Sequence, residues 1–120
     1  MSYLLTAVPV LTVDDLDAAL AYYQQRLGFD LTWTWGDPPT IASVTRDDVE
    51  LNLAPRGDNG ARGASRVAIR LTEVDEYHEE CRRNGATILR SPVDQAYGMR
   101  EFSVADPSGN RLDFGEAIVE

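Results

Sequence analysis

Two tryptophans occupy alternate positions in Thr32-Trp33-Thr34-Trp35. Residues two apart on an extended strand share a face. Both indoles therefore point the same way, and an exposed pair of indoles is a stacking platform for flat or cationic groups. The competing reading is that the two rings fill a core. A second alternation follows in Val49-Glu50-Leu51-Asn52-Leu53. If Val49, Leu51 and Leu53 pack on a helix, Glu50 and Asn52 face the opposite way and offer a carboxylate and an amide to a cleft. The single histidine, His78, falls inside a helical pattern and reads as a surface or half-buried polar residue rather than a ligand. The single cysteine, Cys81, permits no internal disulfide, fits a reducing compartment and reads as buried and inert. The acidic pairs Asp14-Asp15, Asp47-Asp48 and Glu79-Glu80 read as solvated turns and helix faces.

The elements that must position these residues come in two copies. Val13-Asp14-Asp15-Leu16-Asp17, an amphipathic helix pattern and Gly28 return as Leu71-Thr72-Glu73-Val74-Asp75, a helix pattern and Gly85. Each copy is one supersecondary unit that cannot bury its apolar face alone, so the copies pack on each other or on a partner. In the first copy Tyr3–Leu11 is rich in strand formers, and Pro9 inside it points to an edge, a bulge or a crossover. Asp14 or Asp15 caps a helix carried by Leu16, Ala19, Leu20, Tyr23 and Leu27 and stopped by Gly28. Strands follow at Asp30–Trp35, Thr40–Thr45 and Val49–Leu53. The second copy gives a strand at Arg66–Leu71, a helix at Val74–Asn84, and strands at Thr87–Arg90, Arg100–Ala105 and Arg111–Phe114, with a turn at Asp106–Asn110. The expected organisation is a single α+β domain over residues 1–120, made of βαβββ modules 1–55 and 64–120 joined by a Gly/Pro/Asn/Asp-rich linker 56–63. Two such modules form curved sheets around a cleft, either with each other or with a second chain.

Twenty acidic against eleven basic residues give a formal charge of −9. That charge repels nucleic-acid phosphates and anionic lipid surfaces and favours cationic small molecules. No apolar stretch approaches a membrane span and no secretory leader pattern opens the chain, so a cytoplasmic protein without nucleic-acid or membrane partners is expected.

Several pieces taken in order carry a resemblance: Pro9-Val10-Leu11-Thr12 followed by Asp14 or Asp15, Arg26-Leu27-Gly28-Phe29, Arg46-Asp47-Asp48-Val49, Tyr97-Gly98-Met99-Arg100-Glu101-Phe102 and Asp106-Pro107-Ser108-Gly109-Asn110. On a βαβββ repeat these resemble the glyoxalase/bleomycin-resistance group of the vicinal oxygen chelate superfamily, closest in motifs to the bleomycin-resistance branch. The resemblance implies that fold, and a homodimer with clefts at its interface that sequester a cationic, aromatic antibiotic. A proline at the position of Pro9 accompanies exchange of the first strand between subunits in that branch, so a swapped dimer is implied here.

The superfamily's enzymes hold a divalent metal with one side chain from the first and one from the last strand of each module. The motifs place Val8 and Arg66 at the first-strand positions, and Glu50 and Asp113 at the last-strand positions. Valine has no donor atom and a protonated arginine has no lone pair. No metal, no cofactor and no catalytic residue are therefore expected, and the leading reading is metal-free binding of an aromatic, cationic small molecule. Trp33, Trp35, Glu50 and Asn52 would contact it from the first module, and Arg66, Tyr97, Met99, Phe102 and Asp113 from the second. At the segment where the resembled proteins usually stack a tryptophan on the drug, this chain has Tyr97 and an additional residue, Met99. Glu50 and Asp113 serve equally well as ion-pair partners of Arg66. The alternative function is an enzyme (a lyase, isomerase or dioxygenase) with an atypical or absent metal site and Glu50 or Asp113 as general base. A regulatory or accessory interaction protein is a third possibility that no residue specifically supports.

Overall fold

In the first half, period-two alternation builds β1 (Val10–Val13), β2 (Asp30–Trp35), β3 (Ile41–Arg46) and β4 (Val49–Pro55) into a sheet of order β1-β4-β3-β2. Its helix, α1 (Leu16–Gln25), packs on β3 and β4. The second half repeats the order as β5 (Arg66–Arg70), α2 (Val74–Arg83), β6 (Thr87–Asp94), β7 (Met99–Ala105) and β8 (Arg111–Ala117), in a sheet of order β5-β8-β7-β6. In both sheets the first strand of the module runs parallel to the last, and the other pairings are antiparallel. This computed structural model describes residues 1–56 and 65–119, and the linker expected over residues 56–63 lies, apart from Arg56, outside them.

Local chemistry sets the helix ends. Asp15 caps α1 by accepting the amide of Ala18 at 3.1 Å. Gly28 then takes a left-handed conformation (φ 75°) that favours glycine, and a Cβ there would come within 2.3 Å of Arg46 Nη1 and push that guanidinium aside. The second helix lacks a side-chain cap of its own. Glu116 of β8 supplies one from outside, accepting the amides of Glu73 and Val74 at 2.9 and 3.1 Å, where a carboxylate also meets the positive end of the helix dipole.

The two modules share one core. Leu11, Val13, Tyr23, Leu27, Leu51 and Leu53 belong to the same buried cluster as Cys81, Phe102, Val104, Leu112 and Phe114. Burial pushes the Cys81 thiol up to about 11, which keeps it protonated and unreactive at neutral pH. Hydrogen bonds cross between modules in both directions. From α1, Tyr22 Oη donates to the carbonyl of Ala105 at 2.7 Å and Tyr23 Oη to Asp106 Oδ2 at 3.0 Å. From α2, Tyr77 Oη donates to the carbonyl of Leu27 at 2.7 Å. Asn110 Nδ2 reaches the carbonyl of Thr12 at 2.8 Å, and Arg46 pairs with Glu80 at 2.6 Å.

The first strand departs from expectation. It begins at Val10 rather than near Tyr3, and its pairing with β4 starts where the amide of Asn52 donates to the carbonyl of Pro9 at 2.9 Å. Residues 1–7 are exposed, Tyr3, Leu4 and Leu5 each close to nine-tenths so, while Val8 is half-buried beside Glu50 and Ala68. Strand-forming composition is not enough without a pairing edge. Pro9, which has no amide hydrogen, stands at the point where pairing ends.

Candidate functional site

Each sheet has one face on its helix and one face open. The register settles which residues share the open face of the first sheet: Trp35 lies opposite Ile41, Trp33 opposite Ser43, Ser43 opposite Asn52, and Thr45 opposite Glu50. Ala42, Val44, Leu51 and Leu53 point to the opposite side and are buried in the core. Trp33 and Trp35 do share a face and are not core residues, with 40% and 70% of their surfaces exposed. A bulge between Leu31 and Trp33 inserts Thr32, whose hydroxyl lies 2.8 Å from that of Thr45, so this threonine joins the tryptophans instead of facing away from them. Beside the indoles, Glu50 Oε2 accepts from the Ser43 hydroxyl at 2.8 Å. Asn52 Oδ1 is buried without a hydrogen-bond donor among the described residues, an acceptor that a ligand or water would satisfy.

The second sheet's open face is polar and ionic. Asp113 lies at its centre: Oδ2 accepts from Arg66 Nε at 2.6 Å, and Oδ1 accepts from Ser103 Oγ at 2.5 Å and Arg111 Nε at 2.8 Å. Burial opposes the charge, but the bonds from Ser103, Arg111 and Arg66 outweigh it and draw the carboxyl down to about 2. Tyr97, in the turn before β7, hydrogen-bonds the carboxylate of Glu101, which holds the phenol proton above its usual range. Met99 shares the face with Glu101 and Ser103.

Phe102 does not join them, and its expected place among the ligand contacts is corrected. It is fully buried on the helix side, stacked on Phe114 at 5.2 Å and edge-on to Tyr77 and His78. The alternation in β7 explains this: Phe102 and Val104 supply the apolar face, which turns Glu101 and Ser103 outward. Glu101, Ser103, Arg90 and Arg111 are open-face residues that the sequence reading misses, and the same alternation is the signal that exposes Glu101 and Ser103. His78 lies against the Phe102 ring at 5.2 Å, away from both open faces.

An acid titration checks the Asp113 cluster. A carboxyl whose folded pKa lies below its unfolded value adds stability above the unfolded pKa and loses it as pH falls through the folded one. The stability difference between the wild type and Asp113→Asn is therefore expected to shrink by roughly 2 kcal/mol between about pH 4 and pH 2, followed by urea unfolding at each pH.

Two four-stranded mixed sheets, each with a helix on one face and a polar, partly aromatic surface on the other, define an α+β fold of paired βαβββ modules. The chain belongs to the glyoxalase/bleomycin resistance protein/dioxygenase superfamily, whose model matches residues 5–114. It is similar to the crystal structure of the bleomycin-binding protein from bleomycin-producing Streptomyces verticillus complexed with copper(II)-bleomycin, with 32% identity, a TM-score of 0.78 and coverage of 100% of both chains. It is also 32% identical over 105 residues to an uncharacterized protein of Mycolicibacterium smegmatis, covering 88% of this chain and 87% of that one. A bleomycin resistance protein of Geobacillus stearothermophilus is 23% identical, covering 96% of this chain and 98% of that protein.

At the four positions that the resemblance assigns to a metal, the side chains present make a poor ligand set for a divalent ion. Val8 offers no donor atom and precedes β1, and Arg66 is itself a hydrogen-bond donor to Asp113. Both Asp113 oxygens are already engaged. Glu50 alone remains, and among the described residues no three His, Cys, Asp or Glu gather in a metal-holding arrangement. Also among the described residues, no helix is long and apolar enough to cross a membrane.

Proposed function

We propose that this protein binds and sequesters an aromatic small molecule bearing a positive charge, of the bleomycin type, without a metal of its own and without turnover. The observation that carries this reading is the open face of the first sheet, where two exposed indoles on β2 share one side with the Glu50 carboxylate and the unpartnered Asn52 carbonyl of β4, Trp33 and Asn52 lying in line across Ser43. An indole pair takes a flat cation by stacking, and the two acceptors take its N–H groups. The similarity to a bleomycin-binding protein across the full length of both chains supports it.

A second copy completes the cleft in this reading. Residues 1–7 carry Tyr3, Leu4 and Leu5 into solvent, an apolar run that a lone chain leaves uncovered, and Pro9 marks the point from which it exchanges with a partner. Cytoplasmic sequestration of an antibiotic before it reaches its target is the role this would serve.

The test is tryptophan fluorescence against a panel of glycopeptide and intercalating antibiotics, bleomycin included, with protein mass in solution measured alongside. Saturable quenching by a cationic aromatic member and a dimer are expected. An absence of response to every cationic aromatic compound would sink the proposal.

A further inference from the structure

The two open faces carry opposite charge. On the strands of the first sheet, the register puts Asp30 and Glu50 on the open side and no cation. On those of the second it puts Arg66, Arg70, Arg90 and Arg111 there against Glu101 and Asp113. Four guanidinium groups facing two carboxylates leave a cationic surplus in a chain whose overall charge is −9.

The surplus is sharpest at Arg66. Asp113 needs no second arginine to be satisfied, because Oδ1 already holds Ser103 and Arg111 and one carboxylate neutralises one guanidinium. Arg66 gives only its Nε to Asp113 Oδ2. Its terminal nitrogens form no hydrogen bond among the described residues, and its side chain is 66% exposed. The anchored Nε fixes the plane of the group, so the two terminal N–H groups are held out as a fork of the geometry that matches a carboxylate. Met99 on β7 and Tyr97 in the turn before it supply apolar surface nearby.

We infer that Arg66, braced by Asp113, receives a carboxylate of the bound aromatic molecule, so that the ligand is zwitterionic. Its positive end lies with Trp33 and Glu50, and its negative end lies on the second sheet. This rests on the function proposed above and narrows the ligand class.

Three probes with one ring system separate the two ideas: anthracene-9-carboxylate, 9-anthracenemethanol and 9-anthracenylmethylammonium, each titrated by energy transfer from tryptophan. In Arg66→Gln the carboxylate probe is expected to weaken at least about tenfold, the loss of a charge-assisted fork, while the neutral probe weakens far less and so reports an intact cleft. Arg66→Lys, which keeps the charge but not the fork, is expected to fall between the two. If Arg66→Gln binds the carboxylate probe as tightly as the wild type while the neutral probe still binds, the carboxylate site is refuted and the aromatic platform survives. If none of the three binds the wild type, the platform itself fails and this inference fails with it.

Discussion

Replacing Trp33 and Trp35 together with alanine is expected to weaken the tightest-binding antibiotic of the panel by about 30–150-fold, roughly 2–3 kcal/mol from two stacking surfaces. The single variants should not contribute equally. Trp33 pairs across Ser43 with Asn52 in the middle of the sheet and is 40% exposed, whereas Trp35 lies at the strand end and is 70% exposed. Trp33→Ala is therefore expected to account for most of the loss. Both rings stand outside the core cluster, so thermal unfolding of the double variant should match the wild type closely. A large drop in stability with intact binding would mean that the indoles serve packing rather than the ligand. Isothermal titration calorimetry on each variant, paired with a thermal melt, separates the two outcomes.

Asp106→Ala should give the largest change in stability. The side chain is 5% exposed and accepts four hydrogen bonds: from Tyr23 Oη, from the amides of Ser108 and Asn110, and from Asn110 Nδ2. Removing it strands the hydroxyl of a fully buried tyrosine and loosens the turn that meets β1 through Asn110 and Thr12. A loss of about 3–5 kcal/mol is expected, a fall of roughly 10–20 °C in melting temperature. Tyr23→Phe removes one donor and leaves the carboxylate its three amide partners, so about 1–2 kcal/mol is expected for it. Nearly equal costs for the two variants would show that the tyrosine link between modules, and not the turn, dominates.

The βαβββ repeat, nearly all strand positions and the shared face of Trp33 and Trp35 are legible in the sequence because period-two alternation and the Gly28 and Gly85 stops are local signals. What is not legible depends on partners distant in the chain. Tyr3–Leu5 has strand composition, yet a strand exists only where β4 offers an edge, and pairing starts at Pro9. Asp106-Pro107-Ser108-Gly109-Asn110 reads as a turn and is one, but its role as the clamp on Tyr23 spans 83 positions of sequence. Phe102 is misplaced for a different reason: a motif places a segment and not a face, and the alternation of Phe102 with Glu101 and Ser103 decides which side each residue takes. The Asp113 cluster shows the same limit, since Ser103, Arg111 and Arg66 reach one carboxylate from three strands.

A metal site at the positions that the resemblance assigns and ligand binding on the open faces make separable demands, and titrations of one stripped protein put both to the test. Chelator-stripped protein is titrated calorimetrically with the antibiotic that quenches most strongly, the compound is recovered and weighed by mass spectrometry, and the same protein is titrated with Zn²⁺, Ni²⁺, Mn²⁺ and Fe²⁺. Saturable binding of the antibiotic to the stripped protein, recovery of the compound unchanged and no tight stoichiometric uptake of any ion are the predicted results. Stoichiometric metal held by the protein, or a chemically altered compound, would contradict sequestration and return the chain to the catalytic members of its superfamily.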